Sequence, residues 1–194
     1  MRVILASSSP RRRQLMEQAG IPCEIIVSDV DENIDGGVPA HQQVKELASR
    51  KARAVRENIE GEAIIIAADT LVSLDGQVLS KPESGAEAFA MLRALQGRKH
   101  TVYTGVSIIK TGGDDDEVFS FVDSALVYFR QLSDYDIGGY ISTGESFDKA
   151  GAYGAQGRGA VLVHRIEGDF FTVMGLPISK LCAELAEMGV DIWQ

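Results

Sequence analysis

The sequence predicts an α/β protein, a mixed twisted sheet with flanking helices, and three observations carry that expectation. Val3-Ile4-Leu5 and the longer Ala63 to Val72 stretch are nearly unbroken apolar runs, the pattern of strands covered on both faces. Strand-like and capped helical segments alternate over the first third of the chain. Later segments carry hairpin signals instead, so parallel and antiparallel strands are expected together. The 194 residues, 45% apolar and 24% charged, match an ordinary globular composition. A single domain over 1–194 is expected, burying roughly 70% of its unfolded surface without metal or disulfide staples.

Each element has a local cause. After the first strand, Arg2 to Ala6, Ser9 can cap a helix with Pro10 at its first position and Gly20 at its end. Cys23 to Val27 reads as a second strand. An acidic segment with Asp29, Asp31, Glu32, Asp35, Gly36 and Gly37 leads to Pro39 and a helix over Ala40 to Glu57. Its apolar positions Val44, Leu47, Ala48, Ala52 and Val55 step by three or four. Asp75-Gly76 is a hairpin turn between Ala63 to Val72 and Gln77 to Ser80. Ser84 and Glu87 begin a helix ending near Leu95. His100 to Ile109 and Val118 to Tyr128 form a long hairpin, and Ser133 caps a short helix over Asp134 to Ser142. Ala150 to Gly159 is glycine-rich. Ala160 to Ile166 and Phe170 to Val173 read as strands, and Pro177 opens a last helix to about Met188.

Charge and cysteine usage narrow the function. The 19 basic and 28 acidic residues give a formal charge of −9, which argues against a broad nucleic-acid surface. A small anion in a locally basic cleft fits. Cys23 and Cys182 have no CxxC or Cys/His spacing, so neither a zinc site nor a dithiol motif is expected, and a reducing compartment fits. The apolar stretch in MRVILASSSPRRR is too short for a signal core or a membrane span. A cytoplasmic protein without membrane contact is expected.

Four groups of residues could carry chemistry. Ser7-Ser8-Ser9-Pro10-Arg11-Arg12-Arg13 turns from a strand into a helix whose positive end is crowded with arginines; it is either a phosphate site or a capped helix with solvated side chains. Asp69-Thr70 follows an apolar run. Its carboxylate needs a metal, a cation or water, with Lys81 a possible partner, and the alternative is an aspartate that caps a turn or pairs with a structural lysine. Asp29, Asp31 and Glu32 can hold a hard divalent cation or be a solvated loop. Glu145 to Gly159 brings backbone N–H groups close to a ligand, and Gln156 offers both donors and an acceptor to a base edge; the alternative is a flexible loop. Asp114, Asp115, Asp116 and Glu117 are explained by a turn. His41, His100 and His164 show no metal spacing and are expected in ordinary roles.

Taken in order, LASSSPRRRQL, VDE, SRKAR, AADT, KP, DKAGAYGAQG and VMGLP closely resemble the Maf family over nearly the whole chain. The resemblance implies a nucleoside triphosphate pyrophosphatase with an inosine-triphosphatase-like fold, two lobes around a cleft. Such enzymes cleave between the α and β phosphates with a divalent metal, Mg²⁺ or Mn²⁺. Arg11-Arg12, Asp69-Thr70 and Ala152 to Gly157 resemble the branch acting on dTTP and UTP. The 7-methyl-GTP branch typically has Trp, Gln and Ser-Glu at the corresponding places. Ala67, where glycine is common, and the lead Gly144-Glu145-Ser146-Phe147 depart from the family pattern.

Carried over residue by residue, the resemblance implies Asp69 as proton acceptor, Glu32 and Asp69 facing the metal, and Ser8, Arg12, Arg13, Lys51 and Lys81 orienting the triphosphate. Arg11, Thr70 and Gln156 would set base preference. A homodimer is expected by the same analogy. Alternatives are a pyrophosphatase for modified nucleotides such as 7-methyl-GTP or pseudo-UTP, and a nucleotide-responsive regulator of septum formation.

Overall fold

In the computed structural model, described over residues 1–34 and 37–193, the early strand–helix alternation takes the predicted form. Asp35 and Gly36 of the acidic segment lie outside the described residues. β1 (Arg2–Leu5), α1 (Pro10–Gln18), β2 (Glu24–Ile25), α2 (Ala40–Arg56) and β3 (Ala63–Leu74) come first. β4 (Gln77–Leu79), α3 (Gly85–Leu95), β5 (Lys99–Lys110), β6 (Glu117–Phe129) and α4 (Asp134–Ile141) follow. Two 3₁₀ turns at Ala150–Ala152 and Gly157–Leu162 precede β7 (Val163–Glu167), α5 (Phe170–Met174) and α6 (Ile178–Glu187). Among the described residues no helix is long and apolar enough to cross a membrane.

The seven strands form one mixed, twisted sheet in the order β2-β1-β3-β5-β6-β7, with β4 on β3. β1 pairs in parallel with β2 and with β3, the latter from Arg2 opposite Ala63 to Leu5 opposite Ile66. The chain therefore leaves β1 toward one neighbour and returns on its other side. Such a reversal opens a crevice beyond the carboxyl ends of the parallel strands, where ligands of open α/β sheets collect.

The chain divides into two compact units, Met1–Asp69 with Thr104–Asp123 and Gly175–Gln194, and Thr70–Tyr103 with Ser124–Met174. The boundary in β3 falls between Asp69 and Thr70. The first unit packs Ala52, Val55 and Ile59 against Ile4, Ala63, Ile65, Ala67 and Ile109. α2 docks through the expected stripe, with Val44, Leu47, Ala48, Ala52 and Val55 buried. The second unit closes over Leu92, Leu95, Val127, Phe129, Ile137, Tyr140 and Tyr153. Its hairpin turn is Asp75-Gly76, both at positive φ, as the β3–β4 register requires. Ser84 accepts the Glu87 N–H to start α3, and Ser133 with Asp136 forms a complete capping box for α4.

Several expectations are corrected. Phe170 to Val173 is helical, not extended, because the Asp169 carboxylate accepts the Phe171 N–H at 2.9 Å and starts a turn there. Ala160 to Leu162 belongs to a 3₁₀ turn, and the strand begins only at Val163. The second strand shrinks from Cys23 to Val27 to Glu24–Ile25. β3 continues beyond Val72 to Leu74, two residues past the expected end of the strand that holds Asp69. Ser9 sits at the N-cap of α1 but makes no side-chain cap bond. Ser7 Oγ instead accepts the Ser9 N–H at 3.2 Å.

Candidate functional site

In the first unit the backbone pairing of β1 with β3 ends where Ala6 N–H meets the Ile66 carbonyl at 2.7 Å. β1 then turns into the serines and α1, while β3 runs on to Asp69. That divergence places the start of α1 beside the last residues of β3 in the unit.

The Asp69 carboxylate, 7% exposed, meets a cation there. Its Oδ1 accepts a hydrogen bond from Lys51 Nζ at 2.6 Å, and the same ammonium lies 2.7 Å from Glu32 Oε1. Lys51 comes from the apolar stripe of α2, between Ala48 and Ala52, and is itself buried. A buried lysine is tolerated only with such partners. Lys51 is therefore a cation on Asp69 within the first unit; Lys81, named from the sequence as a possible partner, is exposed and belongs to the second unit. The lysine-paired alternative for Asp69 describes its immediate contact. It does not account for Glu32, half-exposed, converging on the same ammonium.

The Glu32 loop is held from two sides. Asp31 Oδ1 accepts both the N–H and the amide of Asn33, at 2.9 and 2.7 Å, and Arg50 donates to the Asn33 carbonyl at 3.1 Å. Asp31 therefore shapes the turn while Glu32 projects to Lys51. Asp29 is exposed.

Arg12 adds a second cation. Its Nε donates to the Gly175 carbonyl at 2.8 Å and its Nη1 to Ser7 Oγ at 3.3 Å. Burial pulls this guanidinium below its ordinary value, opposed by the charge of Asp69, reinforced by Arg11 and opposed again by Glu32. Arginine stays protonated regardless. Arg11, Arg12, Lys51, Asp69 and Glu32 thus share one electrostatic neighbourhood. Arg13 and Ser8 are exposed, and Arg13 acts on Cys23, whose thiol is pushed up chiefly by burial. One helical residue turns a side chain by about 100°, which separates Arg13 from Arg12.

Two carboxylates converging on one ammonium also bear on metal binding. Among the described residues no group of three or more His, Cys, Asp or Glu is placed to cage an ion. A hard ion such as Mg²⁺ is commonly held by one or two carboxylates, with substrate phosphates and water completing the shell. Glu32 and Asp69, which both meet Lys51 Nζ, are two carboxylates of the kind that fit that mode.

In the second unit three expected site residues, Thr70, Lys81 and Gln156, lie within a few positions of one close contact along the chain. Gly151 N–H donates to the Ser80 carbonyl at 3.0 Å, next to Lys81. A Cβ on Gly151 would lie 3.0–3.1 Å from the Val72 side chain, two residues beyond Thr70. Gln156, exposed, follows five residues later as the N-cap of the second 3₁₀ turn. The loop is not slack. Gly154 N–H donates to Tyr140 Oη at 3.1 Å, Lys149 Nζ to the Glu145 carbonyl at 2.6 Å, and the Glu145 carboxylate accepts Arg158 and Gly159 N–H at 3.2 and 3.4 Å.

Sequence reasoning missed Ser7 and Gly175 as the partners that aim Arg12. The serine run and the VMGLP motif carried the signal, but which hydroxyl or carbonyl faces the guanidinium depends on the α1 turn and on a segment 163 residues away.

The comparisons agree with this architecture. The family described as Maf-like protein matches residues 2–188. A Caldanaerobacter subterraneus subsp. tengcongensis protein described as a dTTP/UTP pyrophosphatase is 49% identical over 183 residues, covering 93% of this chain and 86% of its own. A Bacillus cereus protein of the same description is 44% identical over 191 residues, covering 98% and 97%. Among solved structures, the Staphylococcus aureus Ham1 protein superposes with a TM-score of 0.50 over 97% of this chain and 100% of its own, at 17% identity, a likeness of fold. The family match over nearly the full length, with relatives this similar across most of both chains, shows that the chain belongs to the Maf-like family.

Proposed function

We propose that this chain hydrolyses dTTP and UTP to the nucleoside monophosphate and pyrophosphate. The observation that carries the reading is Lys51 Nζ held between Asp69 and Glu32, at 2.6 and 2.7 Å, beyond the carboxyl end of β1 with Arg12 in the same field. Relatives described as dTTP/UTP pyrophosphatases at 44 and 49% identity support the substrate, as do Arg11, Thr70 and Gln156.

Arg12, Arg13, Lys51 and Lys81, with Ser8, neutralise and orient the triphosphate. Asp69 takes a proton from the attacking water. The water oxygen bonds the α-phosphorus, the bond to the α–β bridging oxygen breaks, and pyrophosphate leaves with that electron pair. Glu32 and Asp69 would hold a divalent cation, which would supply charge stabilisation to the phosphates. Arg11, Thr70 and Gln156 set base preference. Family analogy adds a homodimer, which light scattering measures, and a cytoplasmic setting.

The test is pyrophosphate release with Mg²⁺ or Mn²⁺ across dTTP, UTP, CTP, GTP, ATP, 7-methyl-GTP and pseudo-UTP, with and without chelator. Chelator-sensitive cleavage confined to dTTP and UTP is expected. Preference for a modified nucleotide would reassign the substrate. No turnover by folded, metal-supplied protein would favour a regulator of division, which a folded Asp69→Asn variant retaining the cellular effect would support.

A further inference from the structure

The segment that ends in Gln156 passes through two successive residues at positive φ, Gly151 at 68° and Ala152 at 61°. Glycine suits the first. Ala152 is different: a Cβ-bearing residue held left-handed persists only where its surroundings over-determine it. Ala152 is fully buried, and the residue after it is anchored. Tyr153 Oη lies 2.7 Å from His100 Nε2. The Tyr153 ring stands edge-on to His100 and to Phe129, with centroids 5.3 and 4.7 Å apart.

His100 is 2% exposed, and its Nδ1 is buried without a hydrogen-bond partner among the described residues. An apolar ring would fill the same space without stranding that nitrogen, at lower cost. What the imidazole adds is the bond to Tyr153.

We propose that His100 is a positioning residue for base recognition: its Nε2 bond to Tyr153 holds Ala152 in the left-handed turn and fixes the path along which Gln156 is presented. This rests on Gln156 reading the base. His100 touches no substrate and acts only through Tyr153. Gly154, bonded to Tyr140, carries the constraint onward to Gln156.

The experiment compares His100→Phe, which keeps a ring but removes the bond, His100→Gln, whose amide can donate or accept in place of Nε2, Tyr153→Phe, the double variant His100→Phe with Tyr153→Phe, and Gln156→Ala as the reference for base reading. Two readouts are taken: the ratio of kcat/KM for dTTP over CTP, and amide hydrogen exchange across residues 151–156. Loss of one neutral hydrogen bond should lower the ratio roughly five-fold in each single phenylalanine variant, with the double variant no worse. Exchange should quicken over that segment, and His100→Gln should keep both values near the wild type.

Unchanged exchange in His100→Phe overturns the proposal whatever the activity, as do additive effects in the double variant. A ratio that responds to Gln156→Ala but not to His100→Phe overturns this proposal alone. A ratio indifferent to Gln156→Ala overturns the reading of Gln156 itself. Should His100→Phe fail to fold, Tyr153→Phe removes the same bond from the other side and decides by the same two readouts.

Discussion

Lys51 Nζ donates to Asp69 Oδ1 at 2.6 Å from the middle of an otherwise apolar helix face. The pair joins the second helix of the chain to the continuation of β3 beyond its pairing with β1. Since Glu32 shares the same ammonium, changing any of the three alters the charge felt by the other two.

Asp69→Asn retains the size of the side chain and an oxygen for Lys51 but removes the proton acceptor. Turnover should fall by about 10²–10⁴, with KM for dTTP changed far less and the circular dichroism spectrum preserved. Near-normal kcat in that variant removes Asp69 from the chemistry.

Arg12→Lys preserves charge but not the fork that reaches Gly175 and Ser7 together. A rise in KM of about ten-fold is expected, since charge-assisted bidentate geometry is lost, while kcat moves less. Steady-state kinetics on dTTP measure both, and unaltered KM would place Arg12 outside the triphosphate contacts.

Gln156→Glu exchanges an amide donor for a carboxylate acceptor on an exposed loop position. Discrimination between dTTP and CTP should shift by roughly ten-fold or more, the scale of one mismatched hydrogen-bonding group at a recognition site, with melting temperature unchanged. Equal ratios in the two proteins would release Gln156 from base selection.

His100 links stability to pH. Burial lowers its pKa from 6.5 to about 4 in the folded chain, so between those values the unfolded chain binds a proton that the folded chain does not. The His100 contribution to stability is fully present above pH 6.5 and declines as pH falls toward 4, by on the order of 3 kcal/mol over the window. Urea midpoints at about pH 7 and about pH 4.5 should differ more for the wild type than for His100→Gln, which does not titrate. Equal pH dependence would mean that His100 takes up its proton as readily in the fold as in the unfolded chain.

The legible parts of the fold were those with local causes. Pro10 opening α1, the Val44 to Val55 stripe, the Ser84 and Ser133 caps and the Asp75-Gly76 turn each depend on residues a few positions apart, and each is where the pattern put it. Phe170 to Val173 misled because a short apolar run has no period of its own; the Asp169 carboxylate decided for a helix. The Ala160 to Leu162 stretch lost its strand to a turn whose N–H groups are taken by Glu145.

Motif order and amphipathic spacing are written along one chain, and they were enough for the α/β class, the family and the candidate residues Glu32, Lys51, Asp69 and Arg12. Folding in three dimensions was needed to select the lysine that faces Asp69, to aim Arg12 with Ser7 and the Gly175 carbonyl, and to tie His100 to Tyr153. Those pairings join residues 18, 5, 163 and 53 positions apart. Except for the local Ser7–Arg12 contact, no periodicity connects them: they exist because the sheet reverses direction at β1 and because two buried cores set which side chains share a dry, low-dielectric space.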